Sequence, residues 1–124
     1  MHKILVCGGR NYADKVLFDA IMLRVMFGCN YRETCIIEGG ATGADGMAKA
    51  WGKHRGIAVL SVDANWEFYG RYMAGPIRNT WMLTFCKPDI VVAFPGGAGT
   101  ANMVIQAGRI LIPVFKVDPN GPEG

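Results

Sequence analysis

Three short glycine-rich stretches have the residue types and spacing that could bind a phosphate group. They read Cys7-Gly-Gly-Arg10, Glu38-Gly-Gly-Ala-Thr-Gly-Ala-Asp45 and Pro95-Gly-Gly-Ala-Gly-Thr100. Glycine lets backbone N–H groups approach an anion closely, and a helix N-terminus favours negative charge. The alternative is a tight turn that needs glycine only for a positive φ, but the last stretch has three glycines within four positions, which exceeds that need. We therefore predict a phosphate site.

The glycine-rich stretches differ from two common nucleotide-binding motifs. No Lys-Ser or Lys-Thr follows the final glycine, as it does in a Walker loop, and no stretch contains G-x-G-x-x-G. An ordinary dinucleotide-binding Rossmann site is therefore disfavoured. The residues that we expect to contact a ligand are Gly8, Gly9, Arg10, Gly39, Gly40, Thr42, Gly43, Asp45, Trp66, Arg78, Asn79, Gly96, Gly97, Gly99 and Thr100.

Arg78 is the cation that we expect beside the phosphate. It lies with Asn79 in Gly75-Pro-Ile-Arg-Asn79, which predicts the first turn of a helix. An arginine there is unfavourable to the helix dipole unless an anion is close, and a guanidinium can hold a phosphate by two hydrogen bonds. An ion pair with Asp89 or Glu67 is the structural alternative. Arg10 is either a second cation or an exposed surface charge.

Asp45 and Thr100 each have a structural and a functional interpretation. Both residue types cap helix N-termini well, and both stand where a helix is expected to begin. Asp45 could also contact a ribose hydroxyl or a reacting sugar, and Thr100 could donate its hydroxyl to a phosphate oxygen. These roles do not exclude each other.

The connection from Asp63 to Tyr72 is rich in aromatic residues, where a loop would ordinarily be polar. Trp66 or Tyr69 could stack on a base. The alternative is that these rings cover the edge of a small core. We interpret Trp51, Trp81 and most of the seven methionines as core residues.

Apolar runs and turn residues predict alternating strands and helices. The expected strands are Lys3–Cys7, Thr34–Glu38, Ile57–Val62, Asp89–Phe94 and Pro113–Val117. The expected helices are Asp14–Phe27, Asp45–Arg55, Pro76–Phe85 and Thr100–Ile110. Asp14, Asp45 and Thr100 suit N-caps, and Gly28 and Gly56 suit C-termini.

This alternation predicts an α/β fold, a doubly wound, five-stranded and mostly parallel sheet with helices on both faces. In the usual arrangement the first and fourth strands lie side by side where the winding reverses, and ligands bind at that point. The glycine-rich turns after those two strands would then adjoin.

Length and composition predict one domain over residues 1–117. The 124 residues are 51% hydrophobic, enough for one core, and Pro and Gly dominate a tail at 118–124 that we expect to be flexible. The net charge of +3 includes no run of Lys or Arg, so a nucleic-acid partner is disfavoured.

No metal or cofactor site is legible. Cys7, Cys29, Cys35 and Cys86 lack C-x-x-C spacing, so we expect buried free thiols, and the two histidines lie far apart in the sequence. The chain shows neither a signal peptide nor a membrane-spanning segment, which predicts a cytoplasmic protein with no membrane partner.

Four motifs together resemble the SLOG superfamily, most closely its short YspA-type branch. They are the three glycine-rich stretches and Gly75-Pro-Ile-Arg-Asn79, and the resemblance covers about residues 1–117. It implies a Rossmann-like domain that takes nucleotide-derived ligands. The superfamily includes the Lonely Guy phosphoribohydrolases and the DNA-processing protein DprA, so the fold alone does not choose an activity.

One position departs from the hydrolase pattern. In the phosphoribohydrolases the glycine motif extends to P-G-G-x-G-T-x-x-E, and its glutamate works with an arginine that Arg78 matches. The glutamate position is Met103 here. A thioether cannot activate water as a carboxylate can. The catalytic candidates are therefore Arg78, Asp45 and Glu38, with Asp63 and Glu67 as further carboxylates.

The resulting hypothesis is binding of a nucleotide or nucleotide-derived ligand, for sensing or sequestration. The first alternative is an N-glycosidase acting on a nucleoside 5′-phosphate or an ADP-ribosyl compound through a carboxylate at another position. The second alternative is single-stranded DNA binding in the manner of DprA. The resemblance and the apolar stretch from Val16 to Phe27 also suggest a homodimer or a higher homo-oligomer.

Overall fold

A five-stranded sheet forms the centre of the molecule. The computed structural model describes residues 1–119. The strands are β1 His2–Cys7, β2 Thr34–Glu38, β3 Ala58–Ser61, β4 Ile90–Ala93 and β5 Val114–Lys116. Their order is β3-β2-β1-β4-β5, and every neighbouring pair is parallel. The prediction that the first and fourth strands are neighbours is confirmed.

Four helices connect the strands. They are α1 Lys15–Val25, α2 Ala44–His54, α3 Trp66–Trp81 and α4 Ala98–Arg109. A 3-10 turn, Tyr31–Glu33, precedes β2, and a π-helical turn, Met82–Cys86, continues from α3. No helix within residues 1–119 combines the length and the apolar character needed to cross a lipid bilayer.

The sheet separates two hydrophobic cores. Successive residues of a strand point to opposite faces. Ile4 and Val6 therefore pack with Phe18 of α1 and Trp51 of α2, on one face. The other face carries Leu5, Ile37, Val91 and Ala93, which pack against the π-helical turn and α4. Coverage on both faces confirms the predicted doubly wound architecture and explains why the strands lack strict polar alternation.

The predicted N-caps are partly wrong. Asp14 caps α1, where its Oδ1 accepts a hydrogen bond from the backbone N–H of Leu17 at 3.1 Å. The capping positions of α2 and α4, however, are Gly43 and Gly97, so Asp45 and Thr100 lie inside the first turns. These two helices begin earlier because their glycine turns are packed against neighbouring turns, described below.

Two glycines with positive φ follow α1 and α2. Gly56, at φ +70°, follows Arg55, the capping position of α2, so the predicted glycine at this helix end is confirmed. Gly28, at φ +80°, lies two residues beyond Met26, the capping position of α1. Helix α1 therefore ends earlier than the sequence indicated.

The third helix departs most from the prediction. We expected a loop up to Pro76 and a helix from there to Phe85, but α3 already begins at Trp66, with the Asn65 side chain as its cap. Gly70, at φ 79° and ψ 174°, breaks α3 into two pieces, and Pro76 lies inside the second piece. Arg78 is therefore not in a first turn, and the helix-dipole argument for it is wrong.

The burial of the tryptophan, methionine and cysteine side chains agrees only in part with the prediction. Trp51 is buried, but Trp81 is 54% exposed and packs against Phe85 in a tilted arrangement, with 4.2 Å between ring centroids. Most methionines are core residues as expected: Met22, Met26, Met82 and Met103 are buried. All four cysteines are free thiols, but only Cys7 is buried, and the other three are partly exposed.

Two surface regions bear on the remaining predictions. Val16, Leu23 and Phe27 of the first helical region are exposed, and the homodimer stays a prediction. Near the C-terminus, Val117 is buried and its N–H donates to the Ala93 carbonyl at 2.9 Å. Residues 120–124 of the predicted tail lie outside the described residues.

Backbone hydrogen bonds join the three glycine-rich turns at Gly9. The N–H of Gly9 donates to the Pro95 carbonyl at 2.9 Å, which ties the turn after β1 to the turn after β4. The carbonyl of Gly9 accepts from the Ala44 N–H at 3.2 Å, which ties the same turn to the start of α2. The three turns therefore form one rigid edge of the sheet.

This close approach leaves no room for side chains at two of the glycines. A Cβ at Gly43, where φ is +69°, would lie 2.1 Å from the Gly9 carbonyl oxygen. A Cβ at Gly96 would lie 2.6 Å from the Gly9 nitrogen. Both distances are far below van der Waals contact, so the sheet edge requires glycine at these positions.

We predict opposite stability effects for two glycine substitutions. Gly43→Ala lowers the free energy of unfolding by at least about 2 kcal/mol, because the backbone must shift away from Gly9. Gly108→Ala raises it by a few tenths to about 1 kcal/mol, because the position is helical and a Cβ there meets no atom within 4 Å. Urea unfolding of both variants measures the difference. A Gly43→Ala variant as stable as the wild type would contradict the packing described for the turns.

Candidate functional site

A cleft of about 920 Å³ lies at the carboxyl ends of β1, β2 and β4. Its walls come from the turn after β1, the turn after β2, the start of α4 and one side of α3. The volume falls toward the upper end of the range of small-molecule pockets. The position is that at which doubly wound sheets bind ligands.

Nearly all of the predicted contact residues lie in this cleft. Its lining includes Gly8, Gly9, Arg10, Gly39, Gly40, Thr42, Asp45, Trp66, Arg78, Asn79, Gly97, Gly99 and Thr100. Gly43 and Gly96 are absent from the lining, since both are packed against Gly9. Their requirement for glycine is therefore structural.

The first turn of α4 opens into the cleft without a side-chain cap. Helices α1 and α3 are capped by Asp14 and Asn65, whereas no side chain in the described part of the chain caps α4 at Gly97. A Cβ at Gly97 or Gly99 would meet no atom within 4 Å, so this side of the turn is open. The helix N-terminus offers N–H donors and a partial positive charge to an anion.

Arg78 lies half-buried on the α3 side of the cleft, where its side chain reaches the turn after β2. Its Nη1 donates to the Gly39 carbonyl at 2.6 Å and its Nε donates to Asn79 Oδ1 at 3.0 Å. Burial lowers the pKa of Arg78, and nearby Asp45 raises it. A guanidinium stays protonated under such shifts. Arg78 is therefore a cation held in a defined orientation on the cleft wall.

The ion pairs that could have explained Arg78 structurally are not formed. Asp89 instead accepts a hydrogen bond from the Lys3 backbone N–H at 2.7 Å and lies 3.5 Å from His2 Nδ1. Glu67 is exposed in the first turn of α3 and does not line the cleft.

Asn79 connects Arg78 to the first turn of α4. The side chain is 2% exposed, and its Nδ2 donates to the Gly99 carbonyl at 3.2 Å and to Asn102 Oδ1 at 3.1 Å. Its Oδ1 accepts from Arg78. The amide is therefore engaged within the protein, and it places the guanidinium beside the α4 turn.

Asp45 is the buried carboxylate of the cleft. It is 5% exposed, and its Oδ2 accepts from the Ala41 N–H at 3.3 Å. Burial raises the pKa of Asp45 to about 6, although the Ala41 hydrogen bond and the Arg78 charge oppose the shift. A group that titrates near neutral pH can accept or release a proton in a site.

The other carboxylate candidates have different positions. Glu38 is fully buried and does not line the cleft. Its Oε1 accepts from the Gly40 N–H at 2.5 Å and its Oε2 from the Ser61 hydroxyl, so it supports the turn after β2. Asp63 does line the cleft. A Cβ at Gly40 would collide with the Asp63 carboxylate, so this turn and Asp63 are in close contact.

The mouth of the cleft carries aromatic rings and exposed arginines. Trp66 is 43% exposed, and the Arg10 guanidinium carbon lies 5.2 Å from its ring centroid. Arg71 lies in the same way 5.3 Å from the Tyr72 ring. The sequence analysis did not single out Arg71 or Tyr72. The sequence feature that could have pointed to these two residues is the aromatic-rich stretch, since both belong to it together with Trp66.

Two sulfur-containing side chains limit the chemistry. Cys7 lines the cleft, but burial raises the pKa of its thiol to about 12, so it is not a thiolate nucleophile at neutral pH. Met103 is fully buried in the core and does not line the cleft.

Within residues 1–119 no cluster of His, Cys, Asp and Glu could hold a metal ion.

Comparison with known proteins identifies the family. The profile described as "YspA, cpYpsA-related SLOG family" matches residues 2–69, more than half of the chain. The chain belongs to this SLOG family. Across 94% of its length, this SLOG protein is 33% identical to the Gene 61 protein of Mycobacterium phage D29, of which the match covers 96%. The profile includes the turns after β1 and β2, whereas Arg78 and the α4 turn lie beyond it.

We predict a pH-dependent stability from Asp45. Its pKa is about 6 in the folded state and 3.8 ordinarily. Between these two pH values the folded protein therefore holds a proton that the unfolded chain has released. The stabilisation is complete below about pH 4 and is lost as the pH rises through about 6, a change on the order of 2–3 kcal/mol. Urea unfolding from pH 4 to 8 measures it, and Asp45→Asn should remove most of the slope.

Exposed Glu67 supplies the matched control for this measurement. The Glu67→Gln variant should keep the wild-type slope, because it leaves the buried carboxylate in place. An Asp45→Asn variant with the full wild-type slope would show that another group carries the pH dependence.

Proposed function

We propose that this SLOG protein binds a nucleotide or nucleotide-derived phosphorylated ligand in the cleft, and so senses or sequesters it. The observation that carries the proposal is the pairing of Arg78 with the uncapped first turn of α4. Asn79 joins them, because it bonds both to Arg78 Nε and to the Gly99 carbonyl. A phosphate between a fixed guanidinium and a helix N-terminus would gain charge-assisted hydrogen bonds from both sides.

The rest of the cleft suits the other parts of a nucleotide. The half-exposed Trp66 ring at the mouth provides a surface on which a base can stack. Asp45 is better placed than Asn79 to contact a ribose hydroxyl, because the Asn79 amide is already engaged by three hydrogen bonds within the protein. The buried Met103 favours binding over the phosphoribohydrolase reaction.

We predict that calorimetry against a panel of nucleotides finds at least one ligand whose binding depends on Arg78. The panel comprises mono- and diphosphates of the common nucleosides, cyclic nucleotides, ADP-ribose and NAD. Arg78→Ala should weaken that ligand by roughly 10- to 100-fold, since a charged hydrogen-bond donor is lost. Arg78→Lys should bind the ligand with intermediate affinity, because lysine keeps the positive charge but lacks the planar guanidinium that can donate two hydrogen bonds to one phosphate.

Two controls make this experiment specific. Arg32→Ala removes an exposed arginine before β2, at the opposite end of the strands, and should bind like the wild type. Trp66→Ala should weaken binding of the nucleotide and leave binding of inorganic phosphate unchanged. Trp81 is an exposed tryptophan outside the cleft, so Trp81→Ala should change neither affinity. Binding of no member of the panel, or equal binding by folded Arg78→Ala protein, would overturn the proposal.

Asp45 supports a second candidate function, hydrolysis of an N-glycosidic bond. In this reaction water attacks the sugar C1′ as the bond to the base breaks. The electron pair of that bond leaves with the base nitrogen, and a proton of the water passes to the Asp45 carboxylate. A cleft carboxylate with a pKa of about 6 beside a guanidinium is suited to that proton transfer.

Chromatography of nucleoside 5′-phosphates incubated with the protein tests this second function. If it holds, free base accumulates, and Asp45→Asn abolishes release while calorimetry still detects ligand binding. Bound ligand that stays intact over many hours would exclude hydrolysis and leave the binding function.

A further inference from the structure

Three arginines line the same cleft. Arg10 comes from the turn after β1, and Arg71 and Arg78 come from α3. The carboxylates in the lining are Asp45 and Asp63, so cations outnumber anions even when both carboxylates are ionised. A site that leaves positive charge uncompensated favours an anionic ligand.

None of these arginines is neutralised by a salt bridge within the described chain. The ion pair that residues 1–119 do form joins His2 and Asp89, at the opposite end of β1. Arg10 and Arg71 lie instead against the rings of Trp66 and Tyr72. Such contacts at exposed positions are weak compared with a charge-assisted hydrogen bond to phosphate, so both guanidinium groups can exchange partners.

The arginines occupy two different levels of the cleft. Arg78 is half-buried and held by Gly39 and Asn79 beside the α4 turn. Arg10 and Arg71 are exposed at the mouth. Burial lowers the pKa of Arg78, and the nearby positive charge of Arg10 lowers it further, although the charge of Asp45 opposes this.

One phosphate beside Arg78 would compensate the charge of Arg78 and would leave Arg10 and Arg71 at the mouth without an anion. We propose that Arg10 and Arg71 form a second anion subsite, so that the ligand class is a nucleotide with two linked phosphates, such as a nucleoside diphosphate or a diphosphate-bridged compound. This inference rests on the proposed function. The second phosphate draws Arg10 away from the Trp66 ring, which frees that face for the base.

Inorganic phosphate and pyrophosphate test the inference without knowledge of the base. Calorimetry should show that the wild-type protein binds pyrophosphate at least tenfold more tightly than phosphate. Arg10→Ala and Arg71→Ala should each weaken pyrophosphate roughly tenfold and change phosphate binding by less than about twofold. Arg78→Ala should weaken both anions. Both mouth arginines are exposed, and urea unfolding checks that each variant is folded.

Tryptophan fluorescence provides a second readout. Pyrophosphate should change the emission of the wild-type protein through the loss of the Arg10–Trp66 contact, and the change should disappear in Trp66→Phe. The same comparison with nucleoside mono- and diphosphates of each common base should show the same preference for two phosphates, reduced in Arg10→Ala.

The outcomes separate this inference from the proposed function. Equal affinity for phosphate and pyrophosphate, or pyrophosphate binding unchanged in both Arg10→Ala and Arg71→Ala, would overturn the second subsite while Arg78-dependent nucleotide binding stands. An equal loss of pyrophosphate binding in Arg32→Ala would also overturn it, since the preference would then be a general charge effect. Failure of every anion and nucleotide to bind would overturn both.

Discussion

Two backbone hydrogen bonds of Gly9 hold the turns after β1, β2 and β4 together, and the candidate site depends on them. One goes to the Pro95 carbonyl and one comes from the Ala44 N–H. Chain segments can approach this closely only where side chains are absent, which accounts for glycine at positions 43 and 96. The result is a rigid sheet edge on which the start of α4 opens into the cleft without a side-chain cap.

The α3 side of the cleft is organised by polar contacts between α3 and α4. Asn79 bonds to the Gly99 carbonyl, to Asn102 and to Arg78, so the orientation of the guanidinium is tied to the first turn of α4. Gln106 extends this network by donating to Asn102 Oδ1 at 2.7 Å and to the Pro76 carbonyl at 3.1 Å. These hydrogen bonds place the cation beside the helix terminus.

The family and the structure together support the proposed function better than either does alone. This chain belongs to the YspA, cpYpsA-related SLOG family. Membership of a family does not by itself decide what a site does, so the site must be judged from its own residues. Here Met103 lies in the core, at the position where the phosphoribohydrolase pattern given in the sequence analysis has glutamate, and Asp45 is the buried carboxylate of the cleft. The proposed binding function uses Arg78 and the first turn of α4, and the second candidate function uses Asp45.

The sequence by itself determined the order of strands and helices, the switch point between β1 and β4, and most of the cleft lining, because hydrophobic runs and glycine turns are local signals. It could not determine the course of α3, since Pro76 suits a first helical turn and predicted the helix start there, whereas α3 already begins at Trp66 and Pro76 lies inside its second piece. Tertiary structure alone placed Glu38 outside the cleft, engaged the Asn79 amide and brought Arg71 to the mouth. Those outcomes depend on contacts between residues far apart in the chain, which no local pattern records.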